Sequence, residues 1–281
     1  MDLVAFDQQV YEHIRAEFSR FAGRLGFDRV AFIPVSALAG DNVVDRSARA
    51  AWYSGSTLLE HLETLSLDGA ANERFRYPVQ AVLRPNLDYR AFAGQIASGS
   101  VSVGDEILVL PSRKRSRIAA IDTFEGTLEQ AHAPMSVALR LTDEVDVSRG
   151  DMLVRPDELP TVARRFEATL VWMSERALDP ERSYFLKHST QYVRAQIERV
   201  VHTIDLETLE PVPATHLELN DIGRVVVSCH RPLFFDPYTE SRVTGAFVLI
   251  DSLTSNTGAW GRIAAQSVGD AERDVGAPRK R

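Results

Sequence analysis

The sequence predicts a mainly β protein, with two small β-barrels preceded by a shorter α/β segment. Three observations support this fold class. Up to about residue 67, apolar residues recur three or four positions apart, as on one face of a helix. From Phe75 the period changes to two, and short alternating or apolar runs follow one another with Gly- and Pro-containing turns between them, which is typical of a small antiparallel barrel or sandwich. A second β-rich stretch follows the Pro-containing break at Asp157–Pro160.

The α/β segment comprises residues 1–67. Phe6–Gly23 has apolar residues along one helical face and glycines at its end, so we expect a helix there. Arg29–Val35 is a short apolar run of the kind that a buried parallel strand shows. The loop SALAGDNV follows it, and Thr57–Leu65 is predicted as a second helix. One strand has no partners for its backbone groups, so this segment is not a finished domain.

The two barrels are predicted over residues 73–157 and 162–264. Strands of the first are predicted at Phe75–Leu83, Tyr89–Ala97, Glu106–Leu110, Arg117–Ile121, Ser136–Leu141 and Asp151–Val154. Strands of the second are predicted at Arg165–Met173, Ser183–Lys187, Thr190–Asp205, Leu217–Ser228 and Ala246–Leu253. Residues 265–281 are small, polar and charged, and we expect a disordered tail there.

Composition narrows the function classes. The formal net charge of −7 counts against DNA, RNA or an anionic membrane as the main partner, so no nucleic acid and no membrane are expected. The single cysteine, Cys229, excludes an internal disulfide and a thiolate zinc cluster, which favours a cytoplasmic protein. No apolar run approaches the roughly 20 residues that span a bilayer, and the N-terminus has no signal-peptide pattern. The three lysines include none in a GxxxxGK[ST] phosphate loop.

The loop after the first predicted strand carries the strongest chemical signal. A tight turn of small residues, Ser36-Ala37-Leu38, lets backbone N–H groups approach the oxygen of a guanine base. A carboxylate such as that of Asp2 can accept two hydrogen bonds from the N1–H and amino group of guanine, a donor pair that adenine lacks. Each signal is weak by itself, and an N-terminal acidic residue is usually only solvated.

Other candidate residues have plainer interpretations. The histidines include no HxxxH or HExxH spacing, and Cys229 and His230 should face opposite ways on a strand, so no metal site is predicted. The basic run at 113–117 is predicted to be a solvated hairpin turn, with contact to a phosphate or an acidic partner as the alternative. For Trp52-Tyr53, core or interdomain packing is favoured over binding. The segments 236–238 and 242–245 are predicted to fix turn geometry before the last strand.

Several segments along the chain resemble those of a known protein family. MDLVAFDQQVYEHIRAEF resembles the sequence that begins inside the NKMDL motif of translation-factor-type GTPases, and SALAGDNV resembles their last guanine-contacting motif. Over about residues 1–263 the chain is similar to the large, GTP-hydrolysing subunit of bacterial sulfate adenylyltransferase. The segments that carry this similarity are WYSGSTLLEHLE, RPNLDYRAFAG, DVSRGDM, FEATLVWMSE and FDPYTESRVTGAFVLID.

This resemblance implies a P-loop GTPase domain followed by two translation-factor-type β-barrels, so that residues 1–67 would be the C-terminal remnant of the GTPase domain. It implies GTP with Mg²⁺ as cofactor in the intact family member, with Asp2, Ser36, Ala37 and Leu38 contacting guanine. It also implies a partner, the small ATP-using subunit, in a heterodimer that makes adenylyl sulfate and pyrophosphate from ATP and sulfate. A barrel face could contact that partner, but the sequence does not say which one.

The chain also departs from the family. The phosphate loop, switch loops, magnesium ligands and the Asn-Lys of NKxD should lie before Met1, either because a start codon is assigned internally or because the gene is truncated. Since phosphoryl transfer needs those parts, we expect no GTP hydrolysis and no tight GTP binding by this chain alone, and no catalytic residue in it. Whether a kinase domain follows in the intact gene product, and whether residues 1–67 fold, stay open.

Three hypotheses follow. The chain could be part of a sulfate adenylyltransferase complex, which co-purification with the small subunit would favour. It could instead be a translation-factor-like barrel module that binds RNA or protein, which salt-sensitive RNA binding would favour. It could also be a non-functional fragment, which aggregation cured by deleting residues 1–67 would favour.

Overall fold

The computed structural model describes residues 1–27, 29–65, 74–86 and 89–264. The chain divides into two compact units, residues 1–69 and 70–281. The tail predicted at 265–281 lies outside the described residues. Within the described ranges, no helix combines the length and the apolar character needed to cross a membrane.

The first unit contains both predicted helices. A 3₁₀ turn, Asp2–Val4, precedes α1, Gln8–Arg24, and α2 spans Leu58–Thr64. The Asp7 carboxylate caps α1 by accepting the N–H groups of the second and third helical residues at 2.6 and 3.2 Å. Thr57 and Glu60 form a reciprocal capping box at the start of α2. Local sequence signals therefore set where both helices begin.

The strand predicted at Arg29–Val35 is wrong. This segment forms no strand pairing among the described residues, and side chains donate to two of its carbonyl groups instead. The Tyr11 hydroxyl donates to Phe32 O at 2.9 Å. The Asn42 amide donates to Pro34 O at 2.8 Å. An extended apolar run becomes a strand only when a neighbouring strand supplies partners, and the described part of this unit has none to offer.

The second unit is built from antiparallel strands, as predicted. Its described residues contain sixteen: β1 Arg76–Leu83, β2 Ala91–Gln95, β3 Ser100–Ser102, β4 Glu106–Leu110, β5 Lys114–Thr123, β6 Gly126–Leu128, β7 Gln130–His132, β8 Ser136–Leu141, β9 Met152–Val154, β10 Thr161–Trp172, β11 Ser183–His188, β12 Gln191–Ile204, β13 Pro211–Val212, β14 Ile222–Phe235, β15 Ala246–Asp251 and β16 Thr257–Ile263.

Each half of this unit closes into a six-stranded barrel. In the first barrel the ring runs β4-β9-β1-β2-β8-β5 and returns to β4, while β6 extends β5, and β3 and β7 form a separate pair. In the second barrel the ring runs β11-β15-β16-β10-β14-β12 and returns to β11, and β13 extends β12. Closure removes unpaired sheet edges, and each barrel encloses its own apolar core.

Two strands of the second barrel differ from the prediction. The strand expected at Leu217–Ser228 begins later and extends to Phe235. The missed strand β16 contains Gly258 and Gly261, which weaken a strand signal. A Cβ at Gly261 would lie 2.3 Å from the Phe247 ring, so the glycine provides the space that this core side chain fills.

The basic run at 113–117 is also placed differently from the prediction. Arg113 lies in the turn with a φ of 57°, but the following residues belong to β5 rather than to the turn. There Arg115 and Arg117 lie 3.0 and 3.9 Å from Glu106 on the neighbouring strand β4. Both arginines are more than half exposed, so these are surface ion pairs of small energetic weight.

Candidate functional site

The SAL turn in the first unit is a tight, hydrogen-bonded structure. Ser36 is buried and forms a bridge with Asp41, and its carbonyl accepts the Gly40 N–H at 2.8 Å. Gly40 has a φ of 78°, a conformation that a glycine adopts without steric cost. Ala37 and Leu38 therefore project at the tip of the turn, where Leu38 is 90% exposed.

The Asn42 side chain stabilises this turn by hydrogen bonds to the backbone on both sides of it. Asn42 is buried with a φ of 55°, a left-handed conformation that asparagine tolerates. Its amide donates to Pro34 O at 2.8 Å, and its carbonyl oxygen accepts the Ser47 N–H at 2.9 Å. The asparagine of SALAGDNV thus joins the segment before the turn to the segment after it, a role that the sequence did not reveal.

Asp2 lies beside the turn. The ammonium group of Met1 donates to Val35 O at 2.9 Å, which places the start of the chain at the end of the extended segment. A hydrogen bond from the Ser36 side chain holds the pKa of the Asp2 carboxyl below its usual value. The Asp2 side chain is 35% exposed, so the carboxylate is ionised and accessible at neutral pH.

The four predicted residues therefore come together. Asp2 and Ser36 interact directly, and Ala37 and Leu38 follow in the same turn. In the described part of the chain, the backbone N–H groups of Ala37 and Leu38 have no hydrogen-bond acceptor. An accessible carboxylate beside free backbone donors can bind a ligand edge that carries both donors and an acceptor. Contact with guanine stays a prediction.

The Trp52-Tyr53 pair packs within the same unit. Its indole N–H donates to Phe6 O at 2.9 Å, and the Tyr53 hydroxyl donates to Ser56 O at 3.1 Å. Both rings lie against Tyr11, with centroid distances of 5.1 and 6.3 Å. These contacts stabilise the unit, in agreement with the packing interpretation.

Within the second unit, a buried ion pair joins the two barrels. The Arg76 guanidinium on β1 is fully buried and donates from Nε and Nη2 to the two carboxylate oxygens of Asp236, both at 2.9 Å. Its Nη1 donates to the carbonyls of Phe75 and Glu158. The Thr244 hydroxyl donates to Asp236 at 2.9 Å. We call Arg76, Asp236 and Thr244 the clamp.

The clamp is accompanied by apolar contacts across the same junction. A small buried cluster combines four side chains of the first barrel with one of the second: Leu108, Leu110, Met152, Val154 and Phe234. On the exposed side, Arg74 lies 2.9 Å from Glu240. A paired buried charge and buried apolar side chains therefore both lie at the junction of the barrels.

From the sequence, the segments that contain Asp236 and Thr244 of the clamp were predicted only to fix turn geometry. Asp236 and Thr244 do lie in a loop, and a Cβ at Gly245 would lie 2.4 Å from Tyr238 Cα, so this loop is closely packed. However, β15 follows the loop and β16 comes after β15, so the loop does not precede the last strand. No metal-binding group of three or more His, Cys, Asp or Glu side chains occurs among the described residues.

Comparisons with known proteins bear on both units. Sulfate adenylyltransferase subunit 1 of Bacteroides fragilis is 49% identical over 264 residues, covering 94% of this chain and 56% of that protein. The same subunit of Alteromonas mediterranea is 44% identical, covering 97% of this chain and 58% of that protein. The resemblance to the sulfate adenylyltransferase large subunit is confirmed. The chain spans somewhat more than half the length of these curated relatives.

A family model and a solved structure also match the barrel region. Residues 165–264 match the family model described as GTP-eEF1A C-terminal domain-like, which comprises most of the second barrel. A crystal structure of sup35 complexed with GMPPNP superposes with a TM-score of 0.66 at 21% identity, covering 94% of this chain and 66% of that one. The predicted translation-factor-type barrel architecture of this sulfate adenylyltransferase relative is therefore confirmed.

Proposed function

We propose that this chain acts as the large-subunit component of a cytoplasmic sulfate adenylyltransferase that converts ATP and sulfate into adenylyl sulfate and pyrophosphate. The observation that carries the proposal is the alignment of 94% of the chain with proteins named sulfate adenylyltransferase subunit 1. The designation "subunit 1" on these relatives supports a second subunit, which we propose to be the small ATP-using subunit of a heterodimer.

In this proposal the two barrels form the docking body. The clamp and the apolar cluster hold the barrels in one arrangement, so a partner that spans both meets a preorganised surface. The net charge of −7 supports a protein partner rather than a nucleic acid.

The first unit would supply guanine contacts in the full-length enzyme. Asp2 would accept the N1–H and amino hydrogens of guanine, and the free N–H groups of Ala37 and Leu38 would donate to its oxygen. GTP hydrolysis by this chain alone is not part of the proposal. None of its lysines lies in a phosphate loop, a part that phosphoryl transfer needs.

Co-expression with the small subunit tests the docking role. We expect the two chains to elute together in size-exclusion chromatography in the absence of GTP, because docking relies on the barrels. Separate elution of two folded chains would contradict the proposal. Salt-sensitive binding of RNA by the chain alone would favour the translation-factor-like alternative instead.

Calorimetric titration with GTP·Mg²⁺ tests the nucleotide claim separately. We expect no binding in the micromolar range by the chain alone, and micromolar affinity would overturn that expectation. In the full-length homologous subunit, the aspartate that corresponds to Asp2 can be replaced by asparagine. This change should weaken GTP binding and reduce the preference for GTP over ATP, because one carboxylate oxygen that accepts a guanine hydrogen is replaced by an NH₂ group that donates.

A further inference from the structure

A cavity of about 260 Å³ lies at the junction of the two barrels. The first barrel contributes the loop Arg149–Asp151, and the second contributes the start of β12 and the segment Arg231–Phe234 of β14. None of these residues belongs to the predicted guanine-contacting set, and the clamp is formed by other side chains.

Hydrogen bonds fix the wall from the first barrel. The Ser148 N–H donates to the Asp151 carboxylate at 2.8 Å, and the Asp151 N–H donates back to Ser148 O at 3.1 Å. Gly150 has a φ of 94° and donates its N–H to Val79 O at 3.0 Å. The loop is therefore held against β1 in a conformation that favours glycine.

The wall from the second barrel is equally fixed. The side-chain amide of Gln191 donates to Pro232 O at 3.1 Å, and the Phe234 N–H donates to the side-chain oxygen Oε1 of Gln191 at 3.4 Å. These bonds tie β12 to β14 beside the cavity. The cavity is thus preformed on both sides, which lowers the ordering cost of binding a ligand.

The charge of this cavity is distinctive. Arg149 and Arg231 line it from different barrels, and the side chain of neither forms a salt bridge or hydrogen bond with any described residue. Asp151 is the one acidic side chain among the lining residues, and burial raises the pKa of its carboxyl. Two arginines against one carboxylate leave the cavity with an excess of positive charge, which favours an anionic ligand.

Aromatic surface borders the cavity. Tyr192 lines it with 56% of its surface exposed, and its ring stacks on Phe185 at a centroid distance of 4.8 Å. Val193 and Phe234 add apolar lining. A ligand could therefore place a flat or apolar group on this side, but the volume is below the roughly 300 Å³ at which pockets for drug-sized ligands begin.

We propose that this cavity binds a tetrahedral dianion, the sulfate or phosphate group of a small ligand, between Arg149 and Arg231. Two guanidinium groups supply two positive charges and planar donor pairs, which match two oxygens of such a group. The group belongs either to the free inorganic ion or to a small ester whose organic part lies against Tyr192. The proposal does not depend on the proposed function.

Calorimetric titration of the full chain with sodium sulfate, sodium phosphate and adenosine monophosphate tests this site, with sodium chloride at matched ionic strength as the reference. We expect saturable binding of the dianions, weakened about tenfold or more by Arg149→Gln and by Arg231→Gln. Arg199→Gln is the matched control, because Arg199 is exposed on β12, outside the cavity and without an ion pair to any described residue. Tighter binding of adenosine monophosphate than of phosphate identifies an ester site, and equal binding identifies a site for the free ion.

Asp151→Asn provides an independent test with the opposite sign. It removes a negative charge while keeping an oxygen that can accept the Ser148 N–H, so dianion affinity should rise severalfold. Thermal melting of each variant reports whether it is folded. The proposal is refuted if dianions give no more heat than chloride does, or if both cavity arginine variants bind like Arg199→Gln. It is also refuted if Asp151→Asn fails to strengthen binding.

Discussion

Replacing Asp236 by asparagine should strongly destabilise the barrel pair. The substitution keeps the side-chain volume but removes the charge that balances the fully buried Arg76. Two charge-assisted hydrogen bonds of 2.9 Å are lost or weakened, at about 1.5–3 kcal/mol each. The sum of about 3–6 kcal/mol overlaps the roughly 3–5 kcal/mol that breaking one side of a buried ion pair costs. We therefore expect the free energy of unfolding to fall by about 3–5 kcal/mol.

Urea unfolding followed by two probes measures this change. Tryptophan fluorescence reports on the second barrel through Trp172 and Trp260, and on the first unit through Trp52, whereas the first barrel has no tryptophan. Far-ultraviolet circular dichroism reports on the strands of both barrels. If the clamp couples the barrels, its loss should lower the midpoint and separate the two transitions.

Two further variants make this prediction refutable. Arg115→Gln removes a 3.0 Å ion pair whose arginine is 66% exposed, so it should change the free energy of unfolding by less than about 1 kcal/mol. Arg76→Gln combined with Asp236→Asn should cost less than the sum of the single changes, because neither buried charge is left alone. The reasoning is wrong if Asp236→Asn is no more harmful than Arg115→Gln, or if the two clamp substitutions are additive.

Three further predictions rest on perturbed pKa values. Ser36→Ala should raise the pKa of Asp2 towards its usual value, because the hydrogen bond that lowers it is lost. Carbon-detected NMR titration of the Asp2 carboxyl group measures this pKa, and an unchanged value would contradict the Ser36–Asp2 contact. Burial raises the pKa of Cys229 to about 12, so the folded chain should react with a thiol reagent at pH 8 far more slowly than the urea-unfolded chain, and equal rates would be inconsistent with a buried thiol. Burial lowers the pKa of His188, so its neutral form contributes stability above pH 6.5 that is lost as the pH falls below that value; the urea midpoint should decrease from pH 7 to pH 5, and less steeply in His188→Gln.

Much of the barrel fold was predictable because strand signals are local. In β12 buried and exposed residues alternate over most of its length, and the predicted strand Thr190–Asp205 contains it. The three-residue strands β3, β6 and β7 were missed because a period of two cannot be recognised over so few positions. The strand predicted at Arg29–Val35 was wrong for a different reason. Its apolar pattern is that of a strand, but the described part of the chain contains no strand that pairs with it.

The candidate sites were predictable only in part, because their contacts are distant in sequence. Asp2 and Ser36 were paired by family resemblance rather than by a local pattern. The Arg76–Asp236 contact joins residues 160 positions apart, and an arginine in a strand normally indicates an exposed position. Likewise, Arg149 and Arg231 share a cavity only because a loop of the first barrel and strand β14 of the second meet there.

The clamp and the junction cavity depend on the same interface. Arg149 belongs to the first barrel and Arg231 to the second, so their separation is set by how the barrels pack. The clamp fixes that packing with a bidentate ion pair, and bidentate geometry restricts rotation more than a single hydrogen bond does. A clamp variant that stays folded should therefore weaken dianion binding even though the clamp side chains do not line the cavity. Arg115→Gln, which leaves the junction intact, should bind dianions as the unaltered chain does. If the folded clamp variant also binds them with unchanged affinity, the interface rather than the clamp must hold the two arginines in place.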